Sequence, residues 1–194
     1  MKTAMIYSLR TLVLIALCST LLTTVSCQDK KGTTQTAGKS NVKPPQVDIH
    51  TAVVTGNVEA IRQHIAAGSN INEKDPFGGS SPLISAAVFG KTEIAKVLID
   101  AGADINFQNN EGSTALHTAT FFCRPEIVKM LLAKGADKTI KNKYNVTAQE
   151  SIATSFKEAK PVYDMMVNAL GPMGLTLDYA YVEKTRPEIV ALLK

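Results

Sequence analysis

Tryptophan is absent from this chain, cysteine and histidine occur three times each, and aromatic residues make up only 6%. Each shortage removes a class of explanation. Cys18, Cys27 and Cys123 offer no disulfide framework, so the folded part must be held by packing. No second His, Cys or carboxylate stands four residues from His64, the spacing that a helical metal pair needs. Gly78-Gly79 is followed by neither Lys-Ser nor helix-start glycines, and no nucleophile elbow occurs, so neither phosphate cradling nor acyl transfer is indicated. No residue reads as catalytic, cofactor-binding or metal-ligating. An enzyme is not expected.

Long apolar runs are scarce as well. One stands at the front, Leu12 to Leu22, behind Lys2 and Arg10 and ahead of Thr23-Thr24-Val25-Ser26-Cys27. It is shorter than the ~20 residues of a membrane span and is soon followed by polar residues, so residues 1–26 read as an export signal. Ser26 directly before Cys27 resembles the bacterial lipoprotein signal, in which the cysteine is diacylated on sulfur and becomes the first mature residue. Thr24 stands where that pattern usually carries leucine. Lipidation of Cys27 and ordinary secretory cleavage nearby both remain open, with Gln28 after the cysteine favouring the outer membrane over the inner.

Residues 27–47 are built from Lys, Thr, Gly, Ser, Gln and Pro with almost no large apolar side chain, a composition of a flexible tether. This segment and the signal also hold the basic excess. Of the net +4, the signal contributes +2 and the tether +3, which leaves −1 for residues 48–194. A basic pI is thus no argument for nucleic acid.

What is abundant is repetition. Ser81-Pro82-Leu83-Ile84-Ser85-Ala86-Ala87, Gly90, Ile94 to Ile99 and Gly102-Ala103-Asp104 return 33 positions later, with Leu116 for Leu83, Ala119 for Ala86, Ile127 for Ile94 and Gly135-Ala136-Asp137 for Gly102-Ala103-Asp104. A step of 34 backwards reaches Ile49, Ala52, Gly56, Gly68 and Asn72. A fixed period of this size means a solenoid whose units bury their apolar stripes against one another. Within one unit, Ser81, Thr114 or Thr147 can cap a short helix, Pro82 takes its first position, and Ala86 or Ala119 lets a second helix approach closely. The second helix carries Ile94, Val97, Leu98 or Ile127, Met130, Leu131 at one-sided spacing. An arm then leads to a tight turn where Gly79, Gly112 and Asn145 stand in equivalent places, residue types that tolerate positive φ.

These residues resemble ankyrin repeats. The resemblance implies an all-α solenoid of about five helix-turn-helix units with protruding β-turns, at 48–79, 80–112, 113–145, 146–172 and 173–194. Gln63 and His64 replace the apolar pairs of later units and suit a polar N-terminal cap. Pro161 is expected to start a helix through Met165 to Leu170. Arg186-Pro187-Glu188 echoes Arg124-Pro125-Glu126, so the chain should close on a fifth helix pair. His50 and His117 share a repeat position, and the resemblance implies a structural hydrogen bond there. Cys123 takes the place of Gly56 and Gly90, either as a redox-sensitive thiol or as a small buried hydrophobe.

Ankyrin-type repeats imply binding of another protein through a concave groove and turn tips. Val88-Phe89 and Phe121-Phe122 occupy matching places beside that groove. A continuous aromatic row is one reading of Phe89 and Phe122, and tucking of one of each pair between the helices and the turn arm is the other. Phe77, Glu111 and Tyr144 sit at or next to turn tips. Lys134, Lys138, Lys141 and Lys143 gather at the third turn, either to steer an acidic partner or as a solvated loop. The expectation is a monomeric exported lipoprotein that binds protein, not nucleic acid, in the periplasm. An immunity protein, an accessory of a periplasmic enzyme such as a catalase, and a small-ligand carrier or enzyme are the alternatives.

Replacing Cys27 with Ala should release the protein from membranes or leave it uncleaved. A mature wild-type chain that washes off membranes and carries no acyl mass on its first residue would rule the anchor out.

Overall fold

The short first helix of each unit begins where the sequence supplies a capping oxygen. In the computed structural model, which describes residues 42–194, α1 (Ile49–Thr55) starts where Asp48 accepts the Thr51 N–H at 2.9 Å. Ser81 caps α3 (Pro82–Val88) by accepting the Ile84 N–H, with Pro82 in the first turn. Thr114 and His117 form a reciprocal capping box on α5 (Ala115–Phe121). The expected signal 1–26, the lipid acceptor Cys27 and the tether as far as residue 41 lie outside the described residues.

Each first helix turns back through a left-handed residue, Gly56 at φ 76°, Gly90 at 64° and Cys123 at 53°. The following N–H then returns to the helix at 2.8 Å, from Asn57 to Ala52, Lys91 to Ala86 and Arg124 to Ala119. Identical turns deliver identical second helices. These are α2 (Val58–Ala66), α4 (Thr92–Asp100) and α6 (Pro125–Ala133). Helices α1, α3 and α5 stack as one row and α2, α4 and α6 as another. Between the rows lies the core, with Leu83, Ile84, Ile94, Leu98, Leu116, Ile127 and Leu131 fully buried and Ala52, Ala86 and Ala119 setting the close approach.

After residue 146 the chain departs from the expected fourth and fifth pairs. Thr147 and Glu150 do cap one another, but they cap a 3-10 turn, Glu150–Ile152, which packs where a fourth first helix would. Helix α7 (Phe156–Leu170) begins ahead of Pro161, because Ser155 and Glu158 form a capping box that fixes the start there. Helix α8 (Tyr179–Leu193) runs unbroken through Pro187 and packs on α6 as α6 packs on α4. So the echo of Arg124-Pro125-Glu126 at Arg186 marks a fourth second helix and not a fifth pair. Among the described residues there are eight α-helices and no strand, and no helix is long and apolar enough to cross a membrane.

One buried cation fastens this irregular end. Arg186 donates to the Tyr163 hydroxyl at 2.9 Å and to the Ile152 and Thr154 carbonyls, and Tyr163 donates to the Phe121 carbonyl at 2.6 Å. The chain α5–α7–α8 is thereby closed. Met165 nevertheless remains 57% exposed, so α8 does not cover that flank of α7.

At the opposite end His64 is buried instead of solvated. Its ring nitrogens meet the Val47 carbonyl at 2.9 Å and the Ser69 hydroxyl at 3.1 Å, which fixes the entering chain. His117 bonds as its repeat position implies, to Thr114 and across to the Val146 carbonyl at 3.1 Å. His50 does not, since both of its ring nitrogens are buried without a partner.

Burial holds the His117 imidazole below its ordinary pKa of 6.5, against the opposing pull of the Val146 and Ile140 carbonyls. As pH falls, the unfolded chain takes this proton first, so the contribution of His117 is complete above that pH and declines below it. His117→Gln should lower the melting midpoint at pH 7 by the equivalent of about 1 kcal/mol. Its midpoint should also fall less steeply than wild type between pH 7 and 5.5. Parallel melting curves by circular dichroism would contradict this.

Candidate protein-binding surface

The three arms end in turns organised by one side chain each. Asp75 accepts the N–H groups of Phe77, Gly78 and Ser80 at 2.6–2.8 Å, Asn109 those of Glu111 and Ser113, and Asn142 those of Tyr144 and Val146. Burial pushes the Asp75 carboxyl up, but the Gly78, Phe77 and Ser80 amides outweigh it and hold its pKa below the usual value. Gly79, Gly112 and Asn145 adopt φ of 65°, 71° and 59°, as the turn positions require.

Neighbouring turns are bonded to one another. The Asn110 N–H donates to the Gly78 carbonyl and the Lys143 N–H to the Glu111 carbonyl, both at 2.9 Å. Below the tips, Asn72 accepts the Asp104 N–H and Asn106 the Asp137 N–H, again at 2.9 Å. The turns therefore form one braced ledge.

On that ledge the side chains that the fold does not use stand out. Phe77 is 88% exposed and Tyr144 70%. Glu111, exposed between them, accepts the Tyr144 hydroxyl at 2.9 Å, and this carboxylate raises the tyrosine pKa. Lys74 lies 5.6 Å from the Phe107 ring centre. The four lysines of the third turn divide in two. Lys134 faces Asp100 at 3.7 Å and Lys138 donates to the Leu193 carbonyl at 3.2 Å, while Lys141 and Lys143 are exposed and form no ion pair among the described residues.

The phenylalanines at the helix ends do not form an exposed row. Val88 and Phe89 are half-buried, but Phe122 is 4% exposed. Phe121 stacks on Tyr163 at 4.5 Å between ring centres and meets Phe122 edge-on at 5.2 Å. Phe156 and Tyr179 extend the cluster. The reason is α7, which lays Tyr163 over the end of α5 and so turns Phe121 and Phe122 into packing for the last unit. Phe122 cannot offer an exposed anchor.

Cys123 is wholly buried beside this cluster, and burial pushes its thiol up to about 11 against the nearby Arg186 and Arg124 charges. At neutral pH it is a protonated, inaccessible group. One surface depression of about 360 Å³ lies between α2 and α4 and another of about 250 Å³ at the start of α6. In the first the lining charges pair with each other, Arg62 with Glu93 at 3.2 Å and Lys96 with Asp100 at 2.7 Å. In the second the Arg124 Nε is shut off from solvent. Among the described residues no three His, Cys, Asp or Glu side chains gather as metal ligands would.

Residues 49–142 match the family described as ankyrin repeats, in 3 copies. The chain is 36% identical over 66 residues to protein phosphatase 1 regulatory subunit 12A of Mus musculus, a stretch that is 34% of this chain and 6% of that protein. It is 36% identical over 64 residues to protein phosphatase 1 regulatory subunit 27 of Homo sapiens, 33% of this chain and 41% of that protein. The chain thus spans less than half the length of these relatives. The crystal structure of the ankyrin repeat domain of Bcl-3, a member of the IkappaB protein family, superposes with a TM-score of 0.52 at 32% identity, covering 61% of this chain and 50% of that one.

Phe122→Ala should cost about 3 kcal/mol or more, as truncation of a buried aromatic does. Phe77→Ala and Tyr144→Ala should leave the melting midpoint within about a degree of wild type. Equal losses in all three would show that the tips are part of the core.

Proposed function

Since residues 49–142 are a run of ankyrin repeats, we propose that this chain is a non-enzymatic docking protein, held at a bacterial membrane by a lipid on Cys27, that binds another protein through its turn ledge. The observation that carries the docking role is the exposure of Phe77 and Tyr144 on a braced ledge whose fold does not need them. An exposed aromatic costs solubility, and rigid aromatics are the side chains that anchor protein interfaces at low entropic cost. Two relatives are named as regulatory subunits of a phosphatase, which fits attachment to a partner better than catalysis. The tethering rests on the short apolar run before Ser26-Cys27 and on the polar linker behind it.

The test is recovery of a partner from the native cell. After chemical cross-linking, the full chain is purified from the membrane fraction of wild-type cells and of cells carrying Phe77→Ala with Tyr144→Ala. A protein recovered in near-equal amount with wild type and lost from the variant is the expected result. Recovery of the chain alone, or of the same protein with both, rejects docking at the ledge.

A further inference from the structure

Charge on the ledge is uneven from turn to turn. The first turn carries Glu73, Lys74 and Asp75, the second Asp104 and Glu111, and the third Asp137, Lys138, Lys141 and Lys143. Several of these are engaged in holding the fold. Asp75 and Asp137 accept N–H groups of their own turns, and Lys138 is held on the Leu193 carbonyl. What faces solvent at the third turn is therefore a pair of cations without an ion-pair contact among the described residues, Lys141 and Lys143, beside the Tyr144 ring, with the Glu150 carboxylate near enough to feel the Lys141 charge. Glu111, the nearest tip carboxylate, is engaged by the Tyr144 hydroxyl. Phe77 stands at the far end with no cation pair of this kind beside it.

We infer that the ledge receives an extended acidic segment of the partner, with its carboxylates on Lys141 and Lys143 and an apolar side chain against Phe77. This rests on the docking role proposed above and adds the chemistry of what docks. Successive repeats lie about 10 Å apart when helices pack normally, so Phe77 and Tyr144 are separated by about 20 Å. An extended chain covers that distance in about six residues. Because the turns are bonded to each other, the ledge loses little freedom on binding. Single exposed ion pairs contribute little affinity, so the aromatic ends should supply most of the binding. The lysines should set which segments bind and how fast.

The probe is a random heptapeptide library displayed on phage and selected on the full chain, followed by fluorescence anisotropy of the best-enriched peptide after synthesis. Enriched peptides should carry two or more Asp or Glu toward one end and an aromatic or aliphatic residue toward the other. Phe77→Ala should weaken the synthetic peptide tenfold or more, and Lys141→Glu with Lys143→Glu at least threefold, chiefly through slower association. Added salt should weaken wild type much more than the double lysine variant. These sites are exposed, and an unchanged melting curve for each variant is part of the measurement. Peptides without acidic bias, or with affinity unchanged by the lysine variant, overturn the acidic segment. The docking role survives that result if Phe77→Ala still weakens them. If no peptide is enriched and a twenty-nucleotide thymidine strand or phosphatidylglycerol vesicles bind through the same lysines, both readings fall.

Discussion

A helix of two turns cannot stand by itself. Isolated helices shorter than about 12–15 residues are marginal in water, and α1, α3 and α5 have seven residues each. Everything regular in this protein follows from supplying those helices with neighbours. Alanines at the contact bring the second helix close, a left-handed residue reverses the chain within a single step, and the arm carries bonds to the next unit. The ledge is the outer edge of the same arrangement: Asn72 and Asn106 brace the backbone of the next unit beside the backbone bonds that join neighbouring turns.

The two ends meet that constraint by different means. At the front, His64 replaces the apolar residue of inner units and ties the incoming chain at Val47, so a polar side chain does the work of a missing neighbour. At the back, a single 3-10 turn stands in for a helix, and the deficit is made up by an aromatic cluster and by Arg186. A buried guanidinium without a carboxylate is expensive unless every donor finds an oxygen. Here it finds two carbonyls and a phenol. The same substitution of one device for another occurs at Cys123, where a residue with a side chain holds a left-handed turn that glycine holds elsewhere, at a strain of about 1 kcal/mol.

Local signals in the sequence were sufficient for the first three units. Capping oxygens, first-turn prolines and the positive-φ positions at Gly79, Gly112 and Asn145 all act within a few residues, and the period multiplied each signal threefold. The last unit is harder to read because Pro161 and Pro187 look like helix starts, whereas Ser155 with Glu158 begins α7 earlier and α8 tolerates its proline. Burial of Phe122 depends on Tyr163, more than a repeat away, and on a helix start that the prolines obscured. For the candidate surface, turn position alone pointed to Phe77 and Tyr144. Lys141 and Lys143 stand close to the third turn in sequence and are the candidate pair, whereas the partners of Lys134 and Lys138, Asp100 and the Leu193 carbonyl, lie on other elements and are visible only in the fold.

The bonds that join units have a consequence for the order of assembly. The backbone bonds and Asn braces between turns link residues 31 to 32 positions apart, Asn110 to Gly78, Lys143 to Glu111, Asp104 to Asn72 and Asp137 to Asn106. Each unit thus needs only its predecessor, and a chain that emerges N-terminus first can settle unit by unit without waiting for distant sequence. The closing step is different. Arg186 ties two earlier segments at once, the Ile152 and Thr154 carbonyls of the 3-10 turn and the Tyr163 hydroxyl of α7. Until α8 docks, α6 and the 3-10 turn keep an uncovered face, so the last unit settles as one step in which helix, turn and guanidinium close together.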